Sequence, residues 1–202
     1  MAFMCGFSRS RSSSPARQDS RERVTVSELE RLLSSGKTAC NHADQVWPGL
    51  YIGDQNVASD RGELARLGIT HIVNCAQSRW RNGGGGYAGM KVTYLGIEAH
   101  DSPAFDMSKN FYPAADFIHK ALSGGGQVLV HCAVGLSRSA TLVLAYLMIR
   151  QNLTLVEAIK TVKDHRGVTP NRGFLRQLSG LDGILRESRR TTAAAATPSS
   201  SC

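Results

Sequence analysis

Between Thr25 and Glu187 the spacing of apolar positions switches repeatedly between a helical and a strand period. "TVSELERLLSSG" carries apolar residues at helical spacing behind an N-cap at Thr25 or Ser27. "LYIG" at Leu50–Gly53 is short and apolar and predicts a strand. "ASDRGELARLG" returns to helical spacing and closes on Gly68. "THIVNCA" at Thr70–Ala76 and "KVTYLGIEA" at Lys91–Ala99 predict two more strands. "FYPAADFIHKAL" predicts a helix ended by Gly124–Gly126, and "QVLVHC" predicts a further strand. Helices are predicted over Arg138–Gln151, Thr154–Arg166 and Asn171–Glu187.

Strands that alternate with helices define an α/β fold, with a central, twisted, mostly parallel sheet flanked by helices. The longest apolar run, near Ala140–Ile149, is broken only by Thr141. It falls well short of the roughly 18 residues of a membrane-spanning helix, so it predicts a buried core helix and no membrane span.

Both ends lose the pattern. Residues 1–24 are dominated by Ser and Arg and predict a disordered basic arm. Arg9, Arg11 and Arg17 precede any acidic residue, as in a mitochondrial transit peptide. Too few apolar residues accompany them for an amphipathic helix. The Ala- and Ser-rich residues 189–202 predict a disordered tail, which leaves 25–188 as one globular unit.

The stretch "QVLVHCAVGLSRSATLVLAYLMI" inserts a cysteine, a glycine, two serines and an arginine between a predicted strand and a predicted helix. In open α/β sheets ligands bind beyond the carboxyl ends of the strands. A helix N-terminus there offers free N–H groups and partial positive charge, a ready site for phosphate. Gly135 permits the tight turn of an anion nest. Ala133, Val134, Gly135, Leu136 and Ser137 supply its N–H groups, and Arg138 can fork onto phosphate oxygens. The same field lowers the pKa of Cys132 to roughly 3.5–7.5, which makes it a thiolate aimed at phosphorus. The Ser139 hydroxyl can stabilise that thiolate when it leaves. The fixed His, Cys, Gly and Arg of H-C-x-x-G-x-x-R-S should coincide in on the order of one chain in a thousand or fewer. The alternative is an inert buried Cys with Arg138 as a helix cap.

Charge and cysteine usage narrow the picture further. Lys plus Arg number 24 and Asp plus Glu 16, a formal charge of +8, which favours anionic partners without choosing among them. The 5 cysteines are odd in number, widely spaced and form no CxxC pair, so neither a disulfide framework nor a zinc site is expected. No HExxH or carboxylate cluster suggests another metal, and no cofactor is expected. Reduced thiols and the lack of an apolar leader point to cytoplasm and nucleus.

"HCAVGLSRSA" resembles the HCxxGxxR signature of the cysteine-dependent protein tyrosine phosphatases, and "SRSATLVLAYLM" in a short chain resembles their dual-specificity branch. The resemblance runs from about Leu29 to Arg186. It implies a phosphatase domain over 25–188 that acts on phosphotyrosine and phosphoserine/phosphothreonine through a phosphocysteine at Cys132. It also implies an aspartate general acid on a loop upstream of the signature. "AHDSPAFDMS" offers two, and the spacing with D-x-x-x-F carries the role onto Asp101. Asp106 is the runner-up, with an N-cap or surface charge as its other reading. The resemblance gives His131 a part in orienting the loop, compatible with a buried structural His. It gives "PNRGF", with Asn171, a place beside the loop. Cys75 in "NCAQSRW" resembles a redox partner of the nucleophile in this superfamily, or is a small buried hydrophobe.

Tyrosine-specific relatives deepen their cleft with an aromatic loop. The Gly-rich "SRWRNGGGGYAG" at Ser78–Gly89 implies a shallower one, with Trp80 as rim contact or core anchor. Phosphorylated proteins are the expected partners, MAP kinases by resemblance alone, and nucleic acid is not. Two alternatives stand beside this reading. A phosphoinositide or RNA 5′-phosphatase shares the loop but often carries Lys within it, and here there is none. A phosphate-binding adaptor usually lacks the Cys, Arg or Asp, and here all three are present.

Overall fold

The computed structural model describes residues 24–36, 38–78 and 85–195. Among the described residues, seven α-helices and five strands follow one another as α1 (Val26–Ser34), β1 (Ala43–Trp47), β2 (Leu50–Gly53), α2 (Gln55–Ser59), α3 (Arg61–Arg66), β3 (His71–Asn74), β4 (Thr93–Gly96), α4 (Phe111–Ser123), β5 (Val128–His131), α5 (Arg138–Arg150), α6 (Leu155–Lys163) and α7 (Arg172–Ala195). The strands form one sheet in the order β1-β2-β5-β3-β4. β2, β5, β3 and β4 run parallel, and β1 pairs antiparallel with β2 at the edge.

The period-2 pattern sorts side chains between the two faces. Leu50, Ile52, Val73, Val128 and Val130 join the large core under α1 and α4–α7. Ile72 and Leu129 join a smaller core under α2 and α3. β5 is buried at every position, as a central parallel strand should be. α5 is buried from Ser139 to Met148 and fills the large core, matching the expected core helix. No helix among the described residues is long and apolar enough to cross a membrane.

Capping chemistry sets several boundaries. Thr25 and Glu28 form a capping box at α1, and Thr154 and Glu157 repeat it at α6. The single helix expected to end at Gly68 is two. Asp60 closes α2 and accepts a hydrogen bond from the Glu63 N–H at 3.0 Å to start α3, because an Asp side chain favours a cap over a helix interior. β1 went unpredicted because one of its inward positions holds Asp44 where alternation calls for an apolar residue. The last helix runs to Ala195, past the residue 188 boundary of the expected tail. Alanine-rich sequence favours helix, and Arg189 Nη2 pins the segment to Met148 O at 2.8 Å. Trp80 and all but the last residue of the basic arm lie outside the described residues.

Candidate active site

Gly53, His131, Asn74 and Gly96 end four parallel strands in one row. The chemistry-bearing residues lie just past this row. Cys132 follows β5, Cys75 follows β3, Asp101 follows β4, and Arg138 opens α5.

The loop from Cys132 to Arg138 is built by disposing of its carbonyls. Ala133 O accepts from the Gln55 N–H at 3.2 Å, Leu136 O from the Thr169 N–H at 2.9 Å and Ser137 O from the Thr141 N–H at 2.9 Å. Gly135 O accepts from Arg166 Nε at 3.1 Å. Carbonyls satisfied from outside leave the loop's N–H groups for the interior. Gly135 has φ of +77°. A Cβ there would lie 2.6 Å from both Arg166 Nη2 and Gly53 O, so conformation and space both demand glycine.

Arg166 and Asp44, absent from the predicted site, brace this loop. Arg166 is fully buried, and its Nη1 donates to Asp44 Oδ2 at 2.6 Å and to Asn41 O at 2.7 Å. Asp44 also accepts from the Asn41 N–H at 3.0 Å and Nδ2 at 2.6 Å. Burial pushes the Asp44 carboxyl up, yet the Asn41 and Arg166 contacts outweigh it and hold its pKa below the usual value. Loss of one partner would strand the other charge in the core.

Cys132 is 2% exposed. Its Sγ accepts the Gly135 N–H at 3.2 Å and lies 3.3 Å from Ser139 Oγ. Burial raises the thiol pKa, but hydrogen bonds from the Ser139 hydroxyl and backbone and from the Gly135 N–H, with the Arg138 charge, bring it below the ordinary cysteine value. Arg138 Nη1 donates to Ala99 O at 3.1 Å, while its Nε is buried without a protein partner among the described residues. Arg138 borders a cavity of about 250 Å³ that it shares with Asp101, Cys132, Val134, Leu136, Ser137, Thr169 and Asn171.

Asp101 Oδ1 accepts from Ser137 Oγ at 2.7 Å and Asn171 Nδ2 at 2.9 Å. Ser137 is the N-cap of α5 but makes no side-chain cap bond. Its hydroxyl is turned to Asp101, and the N-terminal N–H groups of the helix stay uncapped by it. Asn171 Oδ1 in turn accepts from the Phe174 N–H at 3.0 Å and so starts α7. Asp106 stands elsewhere. Its Oδ1 accepts from the Ser108 N–H at 3.0 Å and Oγ at 2.5 Å, as an exposed turn-former before α4.

Cys75 is fully buried, and its N–H donates to His131 O at 2.8 Å, which sets it beside Cys132 across the sheet. Burial and the neighbouring Cys132 drive its thiol well up. His131 lies under the loop, with Nδ1 3.4 Å from Cys132 O and Nε2 buried without a partner among the described residues. Burial drops its pKa from 6.5 to about 4.

That shift has a sign in stability. Between pH 6.5 and about 4 the unfolded chain takes up a proton on this His and the folded chain does not. Acid therefore favours unfolding, and the loss should reach about 3 kcal/mol across the window. Denaturant titrations at stepped pH should show wild type losing stability through this range and His131→Asn losing less. Equal slopes would contradict a neutral, buried His131.

A buried, stabilised thiol in a strand-to-helix nest, with an arginine and a carboxyl group at the same cavity, is the architecture of a cysteine-dependent phosphatase. The family description "Dual specificity phosphatase, catalytic domain" matches residues 50–182. The chain belongs to this family and is a dual-specificity protein phosphatase. It is similar to dual specificity protein phosphatase 26 of Homo sapiens, at 64% identity over 197 residues, 93% of each chain. Dual specificity protein phosphatase 13B of Homo sapiens is 54% identical over 171 residues, 82% of this chain and 86% of that one. The crystal structure of human DUSP28 matches the fold with a TM-score of 0.66 at 32% identity, covering 74% of this chain and 99% of that one.

Proposed function

We propose that this phosphatase works in two steps through a phosphocysteine at Cys132, on phosphotyrosine and phosphoserine/phosphothreonine in proteins. The observation that carries this is the Cys132 thiol, held by the Gly135 N–H and Ser139 hydroxyl in the cavity that Asp101 and Arg138 line. The thiolate attacks phosphorus in line, the bond to the leaving oxygen breaks, and Asp101 delivers its proton to that oxygen. Arg138 and the N–H groups of residues 133–138 hold the three equatorial oxygens. Asp101 then takes a proton from water as water attacks phosphorus. The P–S bond breaks, and the Ser139 hydroxyl donates to the departing thiolate. Acid quench during turnover of a ³²P-labelled phosphopeptide should leave label on the Cys132 peptide. Label on another residue, or on none at saturating substrate, would reject the intermediate.

Proteins fit this site better than inositol phosphates or RNA ends. No residue from Ala133 to Ser137 is charged, and the lip carries Val134, 61% exposed, beside Leu136 and Thr169. An apolar lip suits a polypeptide flank, whereas a polyphosphate would gain more from added cations. A phosphopeptide should exceed an inositol polyphosphate in kcat/KM, and the reverse order would favour the alternative. An adaptor role is disfavoured by the intact Cys132, Arg138 and Asp101. MAP kinases are the substrate class suggested by resemblance, and an Asp101→Ala trap should retain them in phosphorylated form. A pulldown that retains only other phosphoproteins would remove that assignment. Cytoplasm and nucleus are the compartments proposed, where reducing conditions preserve the thiolate; fractionation into a vesicular pool would contradict this.

We also propose that Cys75 protects Cys132 from over-oxidation. Peroxide oxidises the Cys132 thiolate to a sulfenic acid. The Cys75 thiol then attacks that sulfur, water leaves and a disulfide forms. Neighbouring strands lie about 5 Å apart, within the roughly 7 Å a disulfide needs. Burial keeps Cys75 protonated, so this condensation is slower than exchange with an exposed thiolate. After mild peroxide, thiol blocking and peptide mapping should recover a Cys75–Cys132 crosslink, with activity restored by reductant. Recovery of Cys75→Ser as full as wild type would refute the pairing.

A further inference from the structure

The loop that carries Asp101 connects β4 to α4 and holds only a short 3₁₀ turn, Ser108–Asn110. Its backbone N–H and C=O groups therefore need partners from outside. The first turns of α7 supply several of them. Gln177 Oε1 accepts from the Met107 N–H at 2.8 Å and the Ser108 N–H at 3.0 Å. Gln177 Nε2 donates to Phe105 O at 2.8 Å. One side-chain amide thus satisfies three backbone groups of the loop, the Phe105 carbonyl and the Met107 and Ser108 N–H groups.

Two further contacts lock the same pair of segments. Asn171 Nδ2 reaches Asp101 itself. Gly173 packs so closely that a Cβ there would lie 2.0 Å from Pro103 O. α7 and its N-cap thus meet the loop at Asp101 and at several points after it, at Pro103, Phe105, Met107 and Ser108.

We infer that Gln177 is a positioning residue for the proton-transfer step, setting the place of the Asp101 carboxyl through the loop backbone. This rests on Asp101 as the general acid. Gln177 touches no reacting atom, and the thiolate owes it nothing. In the formation of phosphocysteine its contribution should appear only when the leaving oxygen needs a proton in the transition state. Small misplacement of a catalytic group is costly in rate, up to about a hundredfold for about 1 Å.

The test is the single-turnover rate of phosphocysteine formation on two substrates for the full chain, which leaves the Asp101-assisted hydrolysis out of the comparison. One is a phosphotyrosine peptide, with a basic leaving oxygen. The other is 2,4-dinitrophenyl phosphate, whose leaving group departs without a proton. Gln177→Ala should lower this rate on the peptide about tenfold and on the dinitrophenyl ester less than about twofold. Iodoacetate should alkylate Cys132 at the wild-type rate, because the nest is intact. Gly173→Ala, which pushes on Pro103 instead, should give the same split. Gln177→Glu, which keeps the two accepted N–H bonds and opposes Phe105 O, should fall between wild type and Gln177→Ala. Should Gln177→Ala fail to fold, these two variants decide the matter. Equal losses on both substrates, or none in a folded variant, overturn the inference. Asp101→Asn run alongside separates the failures: if it shows no leaving-group split, the general-acid assignment itself is at fault.

Discussion

Cys132→Ser should abolish turnover while the fold persists. A serine hydroxyl fits the space of the thiol and can keep its partners, the Gly135 N–H and the Ser139 hydroxyl. What it cannot do is ionise. The contacts that bring the buried thiol below its ordinary pKa would have to depress an alcohol many units further to yield an alkoxide at neutral pH. Loss of the nucleophile from a covalent mechanism typically removes more than about 10³-fold in rate. Phosphate binding should survive, since the loop N–H groups and Arg138 stay in place. The expected result is kcat at background, a melting temperature within a few degrees of wild type, and phosphopeptide affinity kept or improved. Hydrolysis at even about a tenth of the wild-type rate would end the thiolate mechanism.

Much of this site was legible in the sequence because its chemistry is local. Cys132, Gly135, Arg138 and Ser139 sit within one strand–loop–helix unit, where spacing alone implies a nest, a cation and a thiol at one place. Asp101 was reachable because the family resemblance, through its spacing and D-x-x-x-F, put the acid there ahead of Asp106, and in the structure Asp106 is engaged by Ser108. The braces were invisible for the opposite reason. Arg166 meets Asp44 across 122 residues of chain. Each alone reads as a surface charge, and Asp44 even disguised the strand that carries it. Gln177 is an ordinary polar residue on an amphipathic helix until its three backbone partners are known. The split of α2 from α3 turned on whether Asp60 caps or continues a helix, a choice of about 1 kcal/mol that tertiary packing decides.

Asp101→Asn should lower kcat roughly 10²–10⁴-fold on phosphotyrosine and phosphothreonine peptides, the usual worth of a positioned acid. Asparagine preserves the size of the side chain and can still accept from Ser137 Oγ and Asn171 Nδ2 through its carbonyl oxygen. The loop should therefore stay where Gln177 and Gly173 hold it, and the loss should report the missing proton rather than a displaced segment. In the burst phase, which reports formation of phosphocysteine alone, the loss should shrink towards nothing for leaving groups acidic enough to depart as anions, since no proton then moves in that transition state. Asp106→Asn gives the control. Its carboxylate is engaged with Ser108, away from the cavity, so kcat should hold within about twofold, as for most surface changes. The hydrolytic half of the cycle adds a second signature. If Asp101 also activates water, the variant should turn over dinitrophenyl phosphate with a burst and accumulate phosphocysteine, because formation of the intermediate is spared and its breakdown is not. A large loss in Asp106→Asn with a small one in Asp101→Asn would move the acid to the other aspartate and detach it from the α7 clamp.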